Sequence, residues 1–141
     1  MNPPRTRLRR TQMKGMNTDG AVRDPLTGHI IKACFEVMGQ LGHGFAEAVY
    51  QRAPTLELQE AGIQVDREVR FPVLYKGQEV GIFVADLIAN QSVIIELKAL
   101  DAALQPVHVG QCLNYMRVSA IPTGLVVNFG RPRIEWRRLS L

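Results

Sequence analysis

From Thr27 onward the apolar residues Ile30, Cys34, Val37, Met38 and Leu41 recur at helical spacing, so an amphipathic helix is predicted with Thr27 as its N-cap. Gly42-His43-Gly44 breaks it. A second helical segment runs from Phe45 to about Ala61 and stops at Gly62, with Pro54 inside it. The period then changes from helical to alternating. Ile63, Val65, Val69 and Phe71 alternate with Gln64, Asp66, Glu68 and Arg70, which reads as a strand with one wet face. That strand continues to a turn at Lys76-Gly77-Gln78. Val80 to Ala89 reads as a second strand, Asn90-Gln91-Ser92 as a tight turn, and Val93 to Ala99 as a third strand. Pro106 opens a helix carrying Val109, Leu113 and Met116. Thr123 to Phe129 reads as a buried strand, and Ile134 to Leu139 as a last short one. The order α-α-β-β-β-α-β-β predicts an α/β fold, a mixed sheet flanked by helices.

The chain has 141 residues, room for one domain. Hydrophobic residues make up 46% and charged residues 21%, which excludes a disordered chain or a collagen-like repeat. The longest apolar runs, such as Gly124 to Val127, are too short to cross a bilayer, and no secretory signal pattern is visible. Cys34 and Cys112 lie singly in predicted helices and read as small core residues in a reducing cytoplasm. Residues 1–24 are polar and aperiodic and are expected to be a disordered basic tail, which leaves residues 25–141 as the domain. Arg5, Arg7, Arg9, Arg10 and Lys14 lie in that tail without an acid among residues 1–15. Removing those five charges from the net +4 leaves −1. The body is therefore nearly neutral, and an argument for a nucleic-acid partner has to rest on a site, not on overall charge.

The hairpin in the middle of the chain supplies such a site. A three-residue turn at 90–92 places Asp86 opposite Glu96, and alternation puts Lys98 on the face of Glu96. Two carboxylates and an ammonium thus meet inside otherwise apolar strands, Val84 to Ile88 and Val93 to Lys98. Charges there are costly unless paired or bound to a metal. One reading is a salt bridge in which Asp86 or Glu96 neutralises Lys98. The other is an oxygen site for Mg²⁺ or Mn²⁺, which takes one or two carboxylates with water and substrate phosphate. Such a metal lowers the pKa of its bound water, and a nearby lysine stabilises charge on a phosphodiester. A zinc centre is not indicated, because His29, His43 and His108 are scattered.

Asp86 followed by Glu96-Leu97-Lys98 resembles the PD-(D/E)XK nuclease superfamily signature. Gly44-Phe45-Ala46-Glu47-Ala48-Val49-Tyr50 resembles, more narrowly, the motif that names the GxxExxY protein family. The likeness continues through Ala85-Asp86-Leu87, Ile95 to Ala99, His108 with Gln111 and Tyr115, and Val127-Asn128-Phe129-Gly130. It implies a restriction-endonuclease-like fold and a metal-dependent nuclease site. In that resemblance Asp86, Glu96 and Glu47 are the metal carboxylates, Lys98 is the catalytic lysine, and Gln111 points into the site from the helix after the third strand. The main-chain carbonyl of Leu97 is a further candidate ligand. Gly44, Tyr50 and Tyr115 are supporting residues, Tyr50 with its hydroxyl tethered to a site carboxylate or to the backbone. Pro54 departs from the family, whose helix usually continues with aliphatic residues.

Plainer readings stand beside these. Glu47 and Tyr50 are helix-surface neighbours, and His108, Gln111 and Tyr115 form a polar stripe that would suit solvent. Trp136 with Arg131, Arg133, Arg137 and Arg138 is either a phosphate track or a basic edge that resists aggregation. The expected function is hydrolysis of DNA or RNA phosphodiester bonds with Mg²⁺ or Mn²⁺, with a homodimer compatible and no membrane partner. The alternative is a catalytically silent binding or interaction module that kept the fold. Two structural expectations follow: Glu47 approaches the Asp86–Glu96 pair, and Lys98 ion-pairs with one of the three carboxylates.

Overall fold

Asp24, not Thr27, starts the first helix. Its carboxylate accepts the Leu26 N–H at 3.1 Å and the Thr27 hydroxyl at 2.6 Å, and Pro25 occupies the first turn, where its missing N–H costs nothing. The computed structural model describes residues 24–141, so the basic tail and its predicted disorder lie outside the described residues. The elements are α1 (Pro25–Leu41), α2 (Glu47–Glu60), β1 (Val65–Tyr75), β2 (Gln78–Ala89), β3 (Val93–Lys98), α3 (Pro106–Ser119), β4 (Thr123–Asn128) and β5 (Glu135–Ser140).

This is the predicted element order. The five strands form one sheet in chain order, antiparallel except for β3 and β4, which run parallel because α3 carries the chain across between them. The α1 and α2 residues Ile30, Cys34, Val37, Tyr50 and Leu58 pack on one face, against Leu87, Ile95, Leu97, Leu125 and Phe129. Cys112 and Met116 of α3 pack on the other, against Ala85, Ile88, Ile94 and Val126. Gly124 lets α3 lie close to β4, since a Cβ there would sit 2.6 Å from the Met116 sulfur.

α2 starts at Glu47, two residues later than predicted, because Tyr50 ties down the approach. The buried Tyr50 hydroxyl donates to the Gly42 carbonyl at 2.7 Å and accepts the Phe45 N–H at 3.2 Å. Its ring stacks on Phe129 at 4.5 Å. Gly44 between these anchors has φ +97°, in the region that favours glycine. Pro54 does not break α2, which runs on to Glu60.

The one wet face predicted for β1 is not observed. Val65 packs with the α1/α2 core, whereas Val69 and Phe71 pack with α3. β2 changes sides in step, with Leu87 and Ala89 on the first side and Phe83 and Ala85 on the second. The reversal falls at Glu68, whose φ is +53°, and opposite it at Asp86; this is the one rung missing between Val65↔Ala89 and Val73↔Gly81. Both strands turn over together, so the register is kept. The outer parts of β1 and β2 leave the sheet as a two-stranded arm, and β3 pairs with β2 only through Leu87, Ile88 and Ala89.

Candidate active site

The site lies in the fork where β2 parts from β3. The hairpin register is the predicted one, with Leu87↔Ile95, Ile88↔Ile94 and Ala89↔Val93. The next rung would be Asp86↔Glu96, and there side chains replace backbone acceptors. Leu97 N–H donates to Asp86 Oδ2 at 2.8 Å, and Asp86 N–H donates to Glu96 Oε2 at 3.3 Å. The missing rung with Glu68 is what frees the Asp86 N–H for this bond. Each carboxylate is thereby held by main chain at a fixed place in the fork.

α2 flanks the fork on one side and α3 on the other. Glu47, exposed at the first position of α2, is close enough for its charge to raise the pKa of both Asp86 and Glu96. Gln51, one turn further on, helps hold the Asp86 carboxyl down, while its own Oε1 accepts from Arg67 Nη1 at 3.5 Å. The sequence reading missed Gln51. The available signal was its position four residues after Glu47, on the same helical face. From α3, the buried Cys112 and the half-buried Tyr115 feel the Glu96 charge. Tyr115 stacks on Phe83 at 4.1 Å, and Phe83 on Phe71 at 5.0 Å, which ties α3 to the arm.

Burial dominates the electrostatics. Glu96 is 6% exposed, and its carboxyl is pushed up to about 8, first by desolvation and then by the Asp86 charge. Asp86 is also raised by burial and by Glu47, against the opposing Leu97 N–H, Lys98 and Gln51. Without a cation, Glu96 therefore holds a proton at neutral pH.

Lys98 does not make the expected ion pair. Among the described residues the ion pairs within 4.0 Å are Arg137–Glu135 and Arg138–Asp24. The physical reason is that Asp86 and Glu96 turn to backbone N–H groups instead. Lys98, partly exposed at the end of β3, influences both carboxylates through its charge but binds neither. Gln111 is exposed on α3 and hydrogen-bonds to none of Asp86, Glu96 and Lys98 among the described residues. It lines an open cleft of about 500 Å³ with Val107, Asn114 and Arg117. Tyr50 is tethered to backbone, not to a carboxylate. His108 is not a free surface group, since its Nδ1 accepts the Gln105 N–H at 2.8 Å and completes the cap of α3. Arg137 and Arg138, offered as part of a phosphate track, are the two paired arginines.

Among the described residues, no three acidic, histidine or cysteine side chains converge as a metal cage. Two carboxylates with their oxygens in one fork still fit a cation that keeps most of its water, as Mg²⁺ does. Glu96 Oε1 accepts from no donor among the described residues and remains available.

A family model of the PD-(D/E)XK nuclease superfamily matches residues 24–139. A search of curated proteins finds no match. A solved structure titled "Crystal structure of SSO0001" is 18% identical with a TM-score of 0.42, the likeness covering 76% of this chain and 60% of that one. This chain thus spans less than two thirds of that structure. The family match covers almost the whole described chain, and the chain belongs to the PD-(D/E)XK nuclease superfamily.

Proposed function

We propose that this superfamily member is a divalent-metal-dependent hydrolase of nucleic-acid phosphodiester bonds, of the GxxExxY type within the superfamily. The observation that carries the reading is the fork itself. Two backbone-anchored carboxylates, Asp86 and Glu96, face a lysine that neither of them neutralises. A structural salt bridge would have consumed Lys98. A lysine kept beside the carboxylates without pairing is available to a phosphate. The Tyr50 tether, which fixes the turn before Glu47, supports the narrower family reading.

Asp86 and Glu96 would hold Mg²⁺ or Mn²⁺, with Glu47 as the additional carboxylate beside them. The cation would supply an activated water and charge neutralisation at the scissile phosphate. Deprotonated Glu96 is the form that binds it. Lys98 places its ammonium against the phosphoryl oxygens as charge develops there. Gln111 is proposed as a substrate contact, because its exposed side chain lies on the α3 surface and is not tied into the fork.

The test is metal titration followed by cleavage of plasmid, single-stranded DNA and RNA in Mg²⁺ and Mn²⁺. Asp86→Asn should lose metal binding and cleavage together. Lys98→Ala should keep the fold and metal binding but lose cleavage by about a hundredfold or more. Metal bound with no cut on any substrate would leave a silent binding module, and full activity in Lys98→Ala would end the catalytic assignment.

A further inference from the structure

Lys98 has no side-chain partner among the described residues, so its placement depends on the main chain at the end of a strand. Strand ends fray unless something holds them, and no regular structure follows Lys98 until α3 begins at Pro106. The end of β3 is held instead by the end of β4. Phe129 N–H donates to the Lys98 carbonyl at 2.8 Å, and Asn128 lies beside Lys98 in the parallel register.

Asn128 is 1% exposed, and its amide is fully committed. Oδ1 accepts from Leu100 N at 2.8 Å and from Gly130 N at 3.1 Å. Nδ2 donates to Leu100 O at 3.2 Å and to Ala102 O at 3.0 Å. Two acceptor sites and two N–H donors are all that the side chain has. Gly130 completes the closure, because a Cβ there would lie 2.1 Å from the Leu100 carbonyl oxygen.

We propose that Asn128 is a positioning residue for the cleavage reaction, a reading that rests on the nuclease function above. Its amide locks residues 100–102 against β4, so that Lys98 is presented at one place beside the fork. Its neutrality also matters. A carboxylate at this position would stand beside Lys98 in register and give it the counter-ion that the site withholds.

The test uses the full chain with Asn128→Asp and Asn128→Ala. Both variants should bind Mn²⁺ with wild-type stoichiometry and near wild-type affinity by electron paramagnetic resonance. Asp86 and Glu96 are anchored by other amides, so nothing in the metal site changes. The KM for a nucleic-acid substrate should also hold. The kcat should fall about tenfold in the alanine variant and about a hundredfold in the aspartate variant, the scale of a misplaced reacting group. In a Lys98→Ala background, Asn128→Asp should add no further loss. A kcat within twofold of wild type in Asn128→Asp would overturn the proposal. A parallel fall of kcat and Mn²⁺ stoichiometry reports lost fold and passes the decision to a second measurement. If the variants do not fold, hydrogen exchange on the wild type decides: the Leu100 amide should exchange as slowly as the β3 core, and fast exchange would overturn the lock. A wild type that cuts nothing removes the nuclease reading itself. A wild type that cuts while Asn128→Asp cuts equally well removes only this proposal.

Discussion

Replacing Glu96 by glutamine should make the metal-free domain less sensitive to pH. The Glu96 carboxyl ionises near 4.5 in an ordinary setting and near 8 in the fold, chiefly because it is buried. Between those values the folded state holds a proton that the unfolded chain has released, so stability falls as pH rises through the window. Each pH unit inside it removes about 1.4 kcal/mol. From pH 5 to pH 7 this one group should therefore cost the wild type about 2–3 kcal/mol, or about 10 °C in Tm for a domain of this size. Glu96→Gln cannot ionise, yet its amide oxygen can still accept the Asp86 N–H that Glu96 Oε2 accepts at 3.3 Å. Thermal unfolding of both proteins in chelator from pH 5 to 9 measures the difference, in which every other titration common to both largely cancels. The wild type should lose Tm relative to the variant across the window, and the two should converge toward pH 4.5. Mg²⁺ at pH 8 should then stabilise the wild type much more than the variant. A wild-type-to-variant difference that stays constant with pH would refute the reasoning, because it would mean that Glu96 is already ionised at pH 5 in the folded state.

Tyr50→Phe deletes the hydroxyl that joins Gly42 to Phe45 and should cost about 1–2 kcal/mol in urea unfolding. An unchanged midpoint would deny the hydroxyl its part in fixing the start of α2. Cys34 and Cys112, both pushed up to about 12 by burial, should resist a water-soluble disulfide reagent at pH 8 and react only on unfolding. Rapid modification of either native thiol would contradict its burial. Gly130→Ala should destabilise by about 2–4 kcal/mol, because the new methyl meets the Leu100 backbone. Gly124→Ala, which meets the flexible Met116 thioether, should cost less, and calorimetry that reversed this order would undo the packing argument.

The hairpin could be read from the sequence because two local rules agree there. The strands alternate and the turn is short, so Leu87↔Ile95 follows and Asp86 and Glu96 must arrive together. The family signature then gave their chemistry a name. Neither rule carries any sign of the reversal at Glu68. A positive φ at a glutamate leaves no mark in the pattern, and alternation extrapolated through it puts Val65 and Val69 on one face when the fold puts them on two. The failed expectation for Lys98 has the same origin. A regular Asp86↔Glu96 rung would have stood both carboxylates up on the sheet face beside the lysine. The broken ladder turns them to Leu97 N–H and Asp86 N–H instead and leaves Lys98 without an ion-pair partner among the described residues. Gln51 was hidden for a different reason, since an amide on a helix looks like surface until Asp86 and Arg67 arrive from distant strands. The irregularity that defeats the pattern is also what opens the fork. In an unbroken sheet the Asp86 N–H would be spent on β1 and Lys98 would be neutralised. Local consistency is relaxed where the candidate chemistry sits, and the packing of α1, α2 and α3 on the regular part of the sheet supports the departure.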